Sequence, residues 1–254
     1  MWSEHTSLLG IDVGFSRSRP TTGIAWSLAG NIDAARTHSD WERRRVHLPY
    51  SAQFSIIAID GPLVPEGSPD NLVRSCEQLL SRGKFQKRCK PGSSHFGTGL
   101  NLKQAAKETF DQVRHLAAVA TFTHAVLAPA AVIEAFPNAF LGVLLPDAFF
   151  STGPIVRGKK FDAMYDAAIA LGCFSALLSW IGWRSSNLLE TLEGERDHEK
   201  RAAYICLLTA ACAAAGKAEA VGDAKGGWIW LPPMELWHDW ARQALATNQA
   251  QLQA

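Results

Sequence analysis

Ile56-Ile57-Ala58-Ile59 places apolar side chains at four successive positions and then ends in Asp60-Gly61-Pro62. A strand that is apolar on both faces has to be covered on both faces, which requires a parallel or mixed sheet between layers of helices. Two other segments share the pattern. Leu8-Leu9-Gly10-Ile11-Asp12-Val13 runs into Gly14, and Ala131-Val132-Ile133 ends in Glu134 before Phe136-Pro137. Thr22 to Leu28 alternates, with Ile24, Trp26 and Leu28 on one face. Ala29-Gly30-Asn31 then supplies a turn before Ile32-Asp33-Ala34-Ala35, which predicts a β-hairpin.

Helical periods fall between and after these runs. From Asn101 the apolar positions Leu102, Ala106, Phe110, Val113, Ala117 and Ala120 step by three and four, which predicts one helix with Asn101 as N-cap. A second helix is predicted over Phe161 to Trp180, and a third from Asp197 to about Ala215. The order is β, β-hairpin, β, helix, β and several helices, an α/β pattern. It predicts a five-stranded mixed sheet in the order 3-2-1-4-5, with the strands of Leu8, Ile56 and Val132 parallel. A length of 254 residues suits a single such domain. Residues of about 63–100 form an insertion after the fourth strand, and about 233–254 form a C-terminal helical tail. The insertion is rich in Gly, Pro and Ser, carries a short helical piece around Leu72–Leu80, and then becomes basic at Arg82, Lys84, Lys87, Arg88 and Lys90.

Charge and cysteine content narrow the function classes. Lys and Arg number 25 against 24 Asp and Glu, a net charge of +1 that does not suit a protein coating nucleic acid without sequence preference. Five scattered cysteines form no secreted disulfide framework. No apolar run reaches the roughly 18 residues of a membrane span, and Glu4 stands where a secretory leader carries basic residues. The expectation is a soluble, cytoplasmic protein with no membrane partner.

The chemistry lies in the acids. Asp12, Asp60 and Glu134 each end, or nearly end, an apolar strand, and ligands of open α/β sheets sit at the carboxyl ends of parallel strands. An Asp inside an apolar strand needs a partner, and clustered carboxylates repel unless a cation joins them. Oxygen-only ligation points to Mg²⁺ or Mn²⁺. Asp197, at the start of the third helix, is the fourth candidate ligand, and its competing role is that of an N-cap. His198 beside it is placed to shuttle a proton. Lys84, Lys87 and Arg88, with Arg74, are the candidate contacts to substrate phosphates. Cys76, Cys89 and His95 match no zinc spacing.

Element order and acids together resemble the ribonuclease-H fold, with its strand-1 Asp, hairpin, acid-ended fourth strand and acid on the last core helix. More narrowly, the chain resembles an uncharacterised bacterial and archaeal family of predicted nucleases with that fold. The matching stretches are Gly10-Ile11-Asp12-Val13-Gly14 with Gly23-Ile24-Ala25-Trp26, Ile59-Asp60-Gly61-Pro62-Leu63, and Arg74-Ser75-Cys76-Glu77. They continue with Val132-Ile133-Glu134-Ala135-Phe136-Pro137, Asp197-His198-Glu199 before Leu208-Thr209-Ala210, and Val221-Gly222-Asp223 with Gly227-Trp228-Ile229-Trp230-Leu231-Pro232. The resemblance covers about residues 8–233 and implies metal-dependent phosphodiester hydrolysis of a nucleic acid or nucleotide. It assigns Asp12 as the bridge between two metals, Asp60 to one of them, and Asp197 or Glu134 to the other. In one respect the chain departs from the family: Arg201 stands where an acid often precedes the small residues of the last helix, which shifts that role to Asp197 or Glu199.

Two other classes fit parts of the pattern. Asp12-Val13-Gly14 before a hairpin also opens sugar-kinase and actin-like ATPases, although these need a duplicated second domain and this chain has no internal repeat. A non-catalytic scaffold of the same fold, binding a ligand or partner, is the other alternative.

Overall fold

The computed structural model describes residues 2–16, 18–69, 71–121, 130–151, 158–184 and 186–253. Seven strands form one sheet: β1 (Leu8–Asp12), β2 (Thr22–Leu28), β3 (Asn31–Thr37), β4 (Ile56–Asp60), β5 (Val132–Ala135), β6 (Glu219–Asp223) and β7 (Gly227–Leu231). Their order is β3-β2-β1-β4-β5-β7-β6. Strands β1, β4, β5 and β7 run parallel, whereas β2 is antiparallel to β1 and β6 to β7. The expected order 3-2-1-4-5 forms one side of this sheet, and the count of five is corrected to seven. The added hairpin was hidden because Trp228–Leu231 is short and Trp-rich, and β7 pairs with β5 through only Glu134↔Ile229 and Ala135↔Trp230. The β2–β3 turn has positive φ at Ala29 (50°) and Gly30 (84°), as a two-residue turn matched to strand twist requires.

The helices are α1 (Trp41–Arg45), α2 (Ser75–Ser81), α3 (Gly83–Arg88), α4 (Thr98–Val113), α5 (Pro137–Val143), α6 (Lys160–Ala170), α7 (Cys173–Ile181), α8 (Ser186–Gly194), α9 (His198–Ala214) and α10 (Asp239–Gln253). Two of them set the layers over the acid-bearing strands. Helix α9 crosses one face of β1, β2 and β4 and is buried along most of its length. Its approach is close: a Cβ on Gly10 would stand 2.3 Å from Leu207 N and 2.4 Å from Ala203 O, and one on Gly23 would stand 1.9 Å from Glu199 O. No side chain fits at either position, so Gly10 and Gly23 seat the helix. On the other face α4 packs Ala106, Phe110 and Val113 into a cluster with Leu9, Ile11, Ile57, Ile59 and Val132.

Three helical expectations are corrected. Helix α4 starts at Thr98 rather than after Asn101, and it stops at Val113, where the chain passes through a short turn at Arg114–Leu116 to pair with the residues just before β4 and β5. There Ala118 N–H donates to Phe54 O at 2.8 Å. The single helix expected over Phe161–Trp180 is broken into α6 and α7, bent by 71°, at Gly172, whose φ of 68° no helix interior tolerates. The basic part of the insertion, for which the sequence predicts no helix of its own, forms helix α3, packed on α10. Among the described residues no single helix is long and apolar enough to cross a membrane. The bent α6–α7 pair passes by length and composition, but it buries Met164, Tyr165, Phe174 and Leu177 in the core.

Candidate functional site

Asp12 ends β1 and Asp60 ends β4, and the two are direct partners in the parallel ladder. Paired residues in a parallel ladder project to the same face, and neighbouring strands lie about 4.8 Å apart. Asp12 shares its face with Gly10, so both carboxyl groups point toward the α9 side, close beside one another. Each residue is partly open to solvent but densely surrounded by protein. Burial pushes Asp12 well above the usual carboxylate range, and repulsion from Asp60 and Glu199 adds to the rise. Asp60 is pushed up to about 7, by burial first and by Glu134 second.

The N-terminus of α9 brings two further acids to this face. Asp197 caps the helix by accepting Lys200 N–H at 3.1 Å. Glu199 lies one turn before Ala203, on the side of α9 that touches Gly23. Both are tied to Arg36 of β3, whose guanidinium stands 3.3 Å from Asp197 Oδ2 and 3.3 Å from Glu199 Oε1. Both charges also raise Asp12, whereas Arg44 of α1 lowers it. Arg44 is buried, and burial brings its pKa down to about 10.

Glu134 belongs to a different arrangement. Its partner across the β4–β5 ladder is Ile59, not Asp60, so it starts from the α4 face of the sheet. Its carboxylate receives two hydrogen bonds from Arg74, at 3.1 and 2.5 Å, and one from Leu63 N–H at 2.8 Å. Arg74 is only 1% exposed, and it also reaches Gly226 O at 2.6 Å and Glu77 Oε1 at 3.3 Å. Burial alone pushes Glu134 upward, while Arg74 and the Leu63 N–H pull it back. The bidentate geometry fixes an ionic pair. Glu134, Arg74 and Glu77 therefore form one buried charge cluster that ties β5 to the start of α2 and to the β6–β7 turn. A small cavity of about 40 Å³ is lined by both Glu134 and Asp60, together with Ser93 and Ser94 among others.

The other expected site residues are spread out. His198 turns toward α6, with Nδ1 3.1 Å from Asp162 Oδ2 and its ring edge-on to Phe161. Arg201 takes the same direction, pairing with Asp166 at 2.8 Å and Asp162 at 3.4 Å over the ring of Tyr165. Arg201 thus faces α6 and not the paired acids; the residue on the sheet-facing side of α9 is Glu199. In the basic segment Lys84 and Arg88 both pair with Asp147, and the Arg88 guanidinium sits 4.4 Å from the Trp240 ring and 5.0 Å from that of Phe150. Lys87 is exposed. Sequence patterns could not reveal Arg36 and Arg44, because a lone Arg in a strand or short helix carries no signal of its own. Glu199 had one, its four-residue spacing from the small Ala203.

Among the described residues no group of three or more His, Cys, Asp and Glu side chains is placed to hold a metal ion. No ion pair to Asp12 or Asp60 forms among the described residues, so the pair retains acceptor oxygens and an unrelieved repulsion. That donor set fits a hard divalent cation. Fold and site define an α/β protein with a carboxylate pair at the carboxyl ends of two parallel central strands. No protein-family model, curated protein or solved structure matches the chain.

Proposed function

We propose that the protein is a metal-dependent phosphodiester hydrolase with a ribonuclease-H-like core, acting on a nucleic acid or nucleotide with Mg²⁺ or Mn²⁺, and that it is related to the family of predicted nucleases. The observation that carries this reading is the in-register pair Asp12–Asp60 beneath the N-terminus of α9. A divalent ion bound there supplies a water of lowered pKa and positive charge for the leaving oxygen. The chain's own residues do the rest. Asp12 and Asp60 provide oxygen ligands, and the positive charge of Arg44 favours the ionised form of Asp12 that ligation requires. Arg36 holds Asp197 and Glu199 in place at the rim. Glu134 acts from behind, as the counter-ion that keeps Arg74 and β5 in position.

A second reading, a non-catalytic scaffold, draws support from the same ion pairs, since Arg36 and Arg74 already engage three of the candidate acids. Hydrolysis of single-stranded DNA and RNA oligonucleotides in Mn²⁺ separates the two. The hydrolase reading expects metal-dependent turnover that Asp60→Asn lowers by about a hundredfold or more. No turnover on either polymer or on an activated phosphodiester, with metal present, favours the scaffold.

A further inference from the structure

A cleft of about 280 Å³ opens just past the end of β1, two residues beyond Asp12, between Gly14 and Phe15 on one side and α4 on the other. Arg44, only 2% exposed, is among its lining residues, and its guanidinium is held in place by neighbouring acceptors. That group donates to His38 O at 3.3 Å, Thr109 Oγ1 at 2.8 Å, Gln112 Oε1 at 3.0 Å and Thr22 Oγ1 at 3.3 Å. Every one of these acceptors is neutral. Among the described residues Arg44 therefore has no carboxylate at ion-pair distance, a costly state for a buried charge. It is unlike Arg74 and Arg201, the other buried arginines, which are both paired.

The wall of the cleft has the opposite character. Phe15 is 56% exposed, so a large aromatic face stands open to solvent at the mouth. From α4, Asn101 and Gln104 present amide groups, and Gln104 Nε2 donates to Glu108 Oε1 at 3.0 Å, which leaves the Glu108 carboxylate as an acceptor in the cleft. One site thus offers a cation with no carboxylate at ion-pair distance, an exposed aromatic plane with no partner ring among the described residues, and polar groups, the Glu108 carboxylate included, able to meet the edge of a base.

We propose that this cleft binds one nucleotide unit, its phosphate toward Arg44 and its base stacked on Phe15. Stacking on an exposed aromatic ring tolerates any base. An exocyclic amino group, as on adenine, would meet Glu108 and Gln104. The proposal rests on the hydrolase reading for its biological use, because Gly14 and Phe15, which line the cleft, follow Asp12 by two and three residues. Binding itself needs neither metal nor hydrolysis.

The test is calorimetric titration of the full chain in EDTA with adenosine 5′-monophosphate and, separately, with inorganic phosphate. The parent should bind the nucleotide more tightly than phosphate. Phe15→Ala, an exposed change that spares the core, should weaken nucleotide binding about tenfold or more and leave phosphate binding within twofold. Gln104→Ala should weaken the nucleotide without affecting phosphate. Equal nucleotide affinity of parent and Phe15→Ala, or no nucleotide binding by the parent, overturns the proposal. A short single-stranded oligonucleotide with the same Phe15 dependence identifies a nucleotide within a strand; dependence seen for the monophosphate alone identifies a free nucleotide. Asp60→Asn keeps the two claims apart. Nucleotide binding retained in Asp60→Asn while its hydrolysis is lost upholds both claims. Nucleotide binding by a parent chain that hydrolyses nothing with metal present upholds the cleft and overturns the hydrolase, and metal-dependent hydrolysis by a parent that binds no nucleotide in EDTA does the reverse.

Discussion

Asp12 and Asp60 are in-register partners on adjacent parallel strands, so the fold holds two carboxyl groups on one face with no cation paired to either among the described residues. Such an arrangement works against folding. Apolar packing on both faces of β1 and β4 offsets the repulsion, and the proposed hydrolase activity gives the cluster a use. The acids around the pair are already satisfied, Asp197 and Glu199 by Arg36 and Glu134 by Arg74.

The pair should leave a mark on the pH dependence of stability. Asp60 in the folded chain titrates at about 7, against an ordinary value of 3.8. The native state therefore keeps a proton that the unfolded chain gives up. The contribution of this group is fully favourable below about pH 4 and is lost as pH rises toward about 7. Asp60→Asn should flatten that slope and melt several degrees above the parent at pH 8 without metal. Thermal melts from pH 4 to 8 check this, and an unchanged slope would mean that Asp60 is not the titrating group.

Divalent metal should restore what repulsion removes. An ion that binds only the native state adds about 2.7 kcal/mol at one hundred times its dissociation constant. In a domain of this size that corresponds to about 5 °C or more in melting temperature. Millimolar Mn²⁺ should therefore raise the melting temperature of the parent and have no effect on Asp12→Asn. Identical responses in the two proteins would make Asp12 a structural residue.

Glu134 and Arg74 should behave as a buried ion pair. Removing one partner leaves an uncompensated charge, so Glu134→Gln or Arg74→Met should cost about 3–5 kcal/mol in urea unfolding. The Mn²⁺ response of Glu134→Gln should persist if the variant folds. Its complete loss would return Glu134 to the metal, against the register that places it opposite Ile59.

The basic helix should divide by residue. Arg88→Ala should lower the melting temperature, because its guanidinium packs against Phe150 and Trp240 and pairs with Asp147. Lys87→Glu should leave stability unchanged and reduce the salt dependence of oligonucleotide binding by about one unit if Lys87 meets a phosphate. An unchanged salt slope would confine α3 to a structural role.

Much of the scaffold follows from short-range patterns. Continuous apolar runs at Leu8, Ile56 and Val132 dictate buried parallel strands, because only burial on both faces satisfies them. Ala29-Gly30 dictates the hairpin, because its turn needs positive φ at both positions. The acid at the end of each run is likewise visible in the sequence. Which face each acid takes is not, since that depends on ladder register, and a shift of one residue reverses the face. Asp12 opposes Asp60 while Glu134 opposes Ile59, so only the assembled sheet separates a carboxylate pair from a salt-bridged acid. The same holds for the charges that tune the site. Arg36, Arg44 and Arg74 stand far along the chain from the acids they influence, and long-range Coulomb interactions leave no periodic trace in a sequence. Tertiary packing also decided the pairing of Ala118 with the chain before β4 and β5, and the capture of β7 by β5. In each case contacts distant in sequence outweighed the local preference.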